Sequence, residues 1–238
     1  MYRDYQYSSG FNIKSLLTPA VTSIILLNFI IFVLSSIFKD SFKNLILVPQ
    51  KVIENYHFYQ LITYMFMHLD TGHLFGNLLI LFLIGSYVEK SMGTLKFTIF
   101  YLFVGTASGL LYTIIVFLVK IIFDNTLLYE GGMLGASGAV LGVAIVVCLM
   151  NWNNYLYLFG IMPIKGQWLI LFIILPAIIG TISSFKGKET VSHLGHLSGI
   201  IIAYLYYKKP FGKGRKPFQK KRKVKSVFEE DHFYLHND

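Results

Sequence analysis

Apolar residues in this chain gather in long unbroken runs. Charged side chains are absent from 15–38, 71–88, 97–119, 131–164, 166–185 and 190–207. A helix crossing a bilayer needs roughly 17–25 apolar residues. Every run meets that length, and 131–164 leaves room for an entry loop. Six such runs in succession predict six transmembrane helices rather than the buried helices of a soluble protein. The expected architecture is all-α: a polytopic membrane protein with a six-helix bundle at 19–207. A short segment, 1–18, precedes it, and a tail, 208–238, follows. The first run begins after Lys14 and is too long for the apolar core of a signal peptide. No small-x-small cleavage site follows it, so it is expected to stay as a helix of the mature protein.

Composition agrees with this division. Of 238 residues, 55% are hydrophobic and only 14% charged, against about a quarter charged in soluble domains. The net charge is +9. Ten of the 21 Lys and Arg lie in 208–238. Short basic flanks stay cytoplasmic, which predicts a cytoplasmic tail at the plasma membrane. Six spans then return the N-terminus to the same side. Lys90, Lys96 and Lys165 fit inner connections, leaving 39–70, 120–134 and 186–189 outside. The basic run Lys220-Lys221-Arg222-Lys223 is compatible with nucleic acid. Beside a membrane anchor, attraction to anionic headgroups is the simpler expectation, so no nucleic-acid partner is expected. Proline, glycine and charge in the tail predict disorder. Cys148 is the single cysteine and can form no internal disulfide. No CxxC or His-rich cluster suggests a metal.

The connection 39–70 is not simply polar. Its part 56–69 is rich in aromatics and methionine, which favour the membrane–water interface. It is expected to lie there, packed on the bundle. Polar groups inside the spans are few, and such groups are commonly functional. His73 and Asn77 are four apart, on one face of the second helix, with His68 just before them. Ser137 stands near the start of the fourth helix, within Gly135-Ala136-Ser137-Gly138. His193 and His196 lie in the first turns of the sixth. Helices 2, 4 and 6 run the same way, so these groups share one depth near the outer face.

A serine hydroxyl needs a base to become a nucleophile, and histidine is the usual one. Acyl transfer also needs donors around the developing oxyanion. Asn77, His73 and the Ser137 amide at a helix start could supply them. No carboxylate lies at this depth, so the arrangement would be a Ser–His dyad. Gly138/Gly142 and Gly195/Gly199 are GxxxG pairs, which let membrane helices approach closely.

Taken together, His73-Leu-Phe-Gly-Asn77, Gly85-Ser-Tyr-Val-Glu89, Gly135-Ala-Ser137-Gly138 and Gly195-His196-Leu-Ser-Gly199 resemble the rhomboid family of intramembrane serine proteases. The resemblance covers roughly residues 56–205. It implies Ser137 as nucleophile and His196 as general base. It implies an oxyanion hole of His73, Asn77 and the Ser137 amide, with Gly135 in the motif before the serine. Glu89 resembles an acidic residue that bonds a cytoplasmic loop. The family's spacing around the base favours His196, with Gly195, Gly199 and Ala203, over His193. Two positions depart from the family's pattern. Tyr59-Gln60 stands where Trp-Arg is frequent, so an Arg-based brace is missing. Leu141 stands where an aromatic often stacks on the histidine, which implies looser orientation and lower activity.

The implied reaction is hydrolysis of peptide bonds in or near transmembrane segments of membrane-protein substrates, without a cofactor. Water would reach Ser137 through a cavity lined by His68, His73, Asn77 and His196. Two other classes compete: a catalytically inactive rhomboid-like protein that binds transmembrane helices, and a small transporter. The intact Ser, His, His and Asn set counts against the first. The absence of an internal repeat counts against the second.

Overall fold

The computed structural model describes residues 16–124, 126–158, 162–185 and 192–208. The segment 1–15, the 186–189 turn and the basic tail beyond Lys208 lie outside the described residues, and so do the expectations placed on them. The apolar runs fold as helices: α1 (Pro19–Ile37), α4 (Thr71–Met92), α5 (Thr94–Phe123), α7 (Ser137–Met150), α8 (Gly166–Phe185) and α9 (Ser192–Lys208). In the first connection lie short helices, among them α2 (Pro49–Glu54) and α3 (Gln60–Thr63). Another, α6 (Leu127–Glu130), precedes α7.

Among the described residues, four helices are long and apolar enough to cross a membrane: α1, α4, α5 and α8. The protein is therefore membrane-embedded. The helix α7 has only 14 residues, about 21 Å at 1.5 Å per residue. It is instead the enclosed centre, with an unbroken stretch from Gly138 to Val140 and from Gly142 to Cys148 buried. Beside it, α9 has 17 residues and packs against α5, α7 and α8. The outer faces of α1, α5 and α8 carry exposed Phe, Leu and Ile, as lipid-facing surfaces do.

One departure from the sequence reading follows Met150. The run 131–164 was expected to hold a loop and then a helix. Past α7 the chain instead forms an antiparallel hairpin, β1 (Tyr155–Leu158) with β2 (Met162–Lys165). Apolar character alone does not separate a short strand from a helical segment.

At the end of the bundle away from Ser137, Glu89 fastens α1. Its carboxylate accepts from the Ala20 and Val21 amides at 3.0 and 2.9 Å, and from the Thr18 hydroxyl. Thr94 Oγ1 donates to it at 2.8 Å from the start of α5. The first amides of a helix have no internal acceptor and attract negative charge. Thr18 makes no side-chain cap, so Glu89 performs that task from another helix. The bond expected to a loop is therefore made chiefly to the N-terminus of α1. Glu89→Ala leaves these buried donors unpaired and is expected to cost about 2–4 kcal/mol. A lowered denaturation midpoint in detergent micelles would report it, and an unchanged midpoint would refute this role.

Candidate active site

Three helix starts meet at the other end of the bundle. Asp70 caps α4: its Oδ1 accepts from the His73 amide at 2.8 Å, the usual task of an N-cap aspartate. This sets His73 in the first turn and Asn77 one turn later. Ser137 is the first residue of α7, so its amide has no acceptor within the helix. His196 lies in the second turn of α9.

Close backbone packing brings the last two together. A Cβ added at Gly199 would stand 2.2 Å from the Gly138 carbonyl oxygen and 2.8 Å from Gly138 Cα. Any side chain at Gly199 would force α7 and α9 apart. One turn along, a Cβ on Gly142 would meet Val104 and Ala203. With the backbones this near, His196 Nε2 lies 2.7 Å from Ser137 Oγ. A proton on Nδ1 makes Nε2 the acceptor of the serine hydroxyl.

Gly135, His73 and His193 lie close to this pair. Gly135 has φ +117°, and a Cβ there would lie 2.8 Å from the His73 ring. Conformation and space both require glycine at this position. Thus the His73 imidazole sits against the loop that delivers Ser137. Asn77 is buried, and its Nδ2 has no hydrogen-bond partner among the described residues. His68 is also buried, with its ring 5.2 Å from that of His73 in an edge-on arrangement. The His193 ring stands edge-on to His196 at 5.6 Å and rests against Gly180 of α8. Leu141, at the position where an aromatic is frequent, packs beside Ala177, Ile200 and Leu197 between α7, α8 and α9. Among the described residues, no three His, Cys, Asp or Glu side chains gather as a metal site.

Several residues around the pair carry no signature in a motif. A small cavity beside Ser137 is lined by Tyr64, Met133, Leu134, Gly135, Gly138 and Gly195. Ser108 of α5 donates to the Gly195 carbonyl at 2.9 Å and touches Gly138. The signal for it was Gly105-Thr-Ala-Ser108-Gly109, a hydroxyl among small residues that must find a partner inside a membrane. Farther out, Tyr129 donates to Glu54 at 3.0 Å, and Lys120 stands 3.6 Å from the same carboxylate. The Tyr129 hydroxyl, foremost, holds the Glu54 carboxyl below its ordinary range.

A family model described as a rhomboid domain matches residues 55–210. The chain is 29% identical over 153 residues to rhomboid-like protein 11, chloroplastic, of Arabidopsis thaliana, covering 60% of this chain and 49% of that protein. It is 25% identical over 165 residues to RHOMBOID-like protein 2 of the same plant, covering 68% of this chain and 46% of the relative. The chain thus spans about half the length of the curated relatives it matches.

Proposed function

Because the chain belongs to the rhomboid family, we propose that it is an intramembrane serine endopeptidase acting through a Ser137–His196 dyad. The 2.7 Å approach of His196 Nε2 to Ser137 Oγ carries this reading. Ser137 Oγ attacks the carbonyl carbon of a substrate peptide bond while His196 Nε2 takes its proton. The C–N bond breaks as His196 returns that proton to the leaving nitrogen, and an acyl-enzyme remains on Ser137. Water then attacks the ester with His196 again as base, releasing the acid and restoring the hydroxyl.

The oxyanion would be met by the Ser137 amide, Asn77 Nδ2 and a ring N–H of His73. A buried donor with no partner costs about 1–3 kcal/mol. Asn77 Nδ2 is such a donor, which supports its being kept for a ligand oxygen. Among the described residues no acid completes the pair, so fixed donors and close packing must supply what a triad draws from its aspartate. The substrates are transmembrane segments of other proteins. Their helices must unwind locally, since helical backbone hides its carbonyls. The reaction as written needs no cofactor.

For the setting, we take six spans, with α7 and α9 as the two short ones, in the plasma membrane with both termini cytoplasmic. The exposed aromatics Tyr56, Phe58 and Tyr59 support an interfacial first connection. The basic tail would lie along anionic headgroups.

The test uses protein purified in detergent, with a transmembrane substrate and a fluorophosphonate probe. Cleavage within the substrate span is expected, with the probe mapped to the peptide containing Ser137. A protein that binds transmembrane helices but neither cleaves nor takes the probe would be the inactive relative instead.

A further inference from the structure

We infer that Gln60 is a positioning residue for the nucleophile, acting through the Leu47–Met133 backbone pair. This rests on the protease reading above.

Gln60 begins α3 in the first connection and is fully buried. Its amide uses both ends. Oε1 accepts from the Val48 amide at 3.1 Å, and Nε2 donates to the Asn44 carbonyl at 2.9 Å. The side chain therefore staples the stretch 44–48 on both flanks of Leu47. Thr63 adds a third tie, donating to the Leu45 carbonyl at 2.7 Å.

Leu47 in turn pairs with Met133, each amide donating to the other's carbonyl, at 2.9 and 2.8 Å. Met133 is four residues before Ser137. Its sulfur lies against Gly195, the neighbour of His196: a Cβ there would come within 2.4 Å of Sδ. Two residues on, the Gly135 amide donates to the Tyr64 carbonyl at 2.9 Å. Tyr64 directly follows α3, and its hydroxyl is anchored on the Gly105 carbonyl at 2.7 Å.

The strip 133–135 is thus held from two directions, by Leu47 and by Tyr64. Both belong to the first connection, and Gln60 locks the two holders to each other. An apolar side chain of the same length fills the space but leaves the Val48 amide and the Asn44 carbonyl unpaired. The Leu47 arm can then drift from the Tyr64 arm. The strip follows, and Ser137 moves relative to His196, which is held on α9. A displacement of about 1 Å at reacting groups costs up to roughly a hundredfold in rate.

The experiment compares wild type with Gln60→Met and Gln60→Glu in detergent, reading kcat, KM and fluorophosphonate labelling on the same transmembrane substrate. For Gln60→Met we expect kcat and labelling rate to fall together by about 10- to 100-fold with KM within threefold. Gln60→Glu keeps the acceptor for Val48 and should fall less. A residue that only stabilises the fold would lower the denaturation midpoint yet leave kcat per folded molecule unchanged. That result, or a change in KM alone, overturns the proposal. If Gln60→Met does not fold, Gln60→Glu decides by itself, and a wild-type kcat overturns it. Wild-type protein that neither cleaves nor labels overturns the protease reading, and this proposal with it. Wild type that cleaves beside an unaffected Gln60→Met overturns the role of Gln60 alone.

Discussion

Ser137→Ala and His196→Ala are each expected to cleave a transmembrane substrate at least about a thousandfold more slowly than wild type, and the double variant no more slowly than either. The reasoning is that one hydrogen bond joins the two. Without the base, the hydroxyl keeps its proton and is a poor nucleophile. Without the hydroxyl, the base has nothing to activate. Once either is gone, removing the other has no further effect, so the losses do not add. His193→Ala is the informative comparison. His193 touches the face of His196 and not its role in proton transfer, so a loss of about tenfold or less is expected. Both histidines are neighbours in sequence and at one depth, so a structural effect of losing an imidazole is shared between them. Single-turnover cleavage with matched folded fractions measures all four proteins. Equal losses for the two histidine variants, or additive losses in the double, would sink the dyad.

The second large effect concerns Gly199→Val. A Cβ at this position would meet three backbone atoms of Gly138, the nearest at 2.2 Å. Backbone cannot rotate away as a side chain can. The helices α7 and α9 must separate by an ångström or more, or the fold must open. Overpacking of a well-filled core costs about 1–3 kcal/mol, occasionally more. A clash with main chain belongs at the upper end of that range. Activity should suffer even in molecules that stay folded, because the same contact sets the reach of His196 to Ser137. We expect a fall of roughly a hundredfold or more in kcat, with a lower denaturation midpoint. Gly76→Ala is the contrast. A Cβ there meets nothing within 4 Å, although Gly76 stands between His73 and Asn77. Relief of glycine's entropy should then make α4 neutral to more stable by about 0.5–1 kcal/mol. If both substitutions behave alike, close packing of α7 on α9 is not what assembles the pair.

The apolar runs were legible because a span needs many consecutive uncharged residues, a property of local sequence. Runs 15–38 and 166–185 became α1 and α8 with small changes at their ends. The motif residues were legible too, since glycines, serines and histidines in apolar helices are few. Other features had no such signature. Gln60 resembled a missing brace, because a residue type at a position says nothing of which backbone groups it will reach. In the structure it makes two bonds to main chain 12 and 16 residues away. Leu47 and Met133 pair through backbone atoms, which any residue carries. The hairpin after α7 hid inside an apolar run for the same reason.

By itself, then, the sequence determined a membrane chain, the order of its helices, and one end of the bundle where Ser137 and the histidines collect. Hydrophobicity and helical spacing act over a few residues and leave marks in composition. Only the tertiary structure decided that His196, 59 residues from Ser137, lies within 2.7 Å of it. It alone decided that Glu89 caps α1, and that the first connection grips the strip before Ser137. Those outcomes depend on how closely two backbones can meet and on where buried amides find acceptors. Such matters are settled among distant segments at once, so no single stretch of sequence records them.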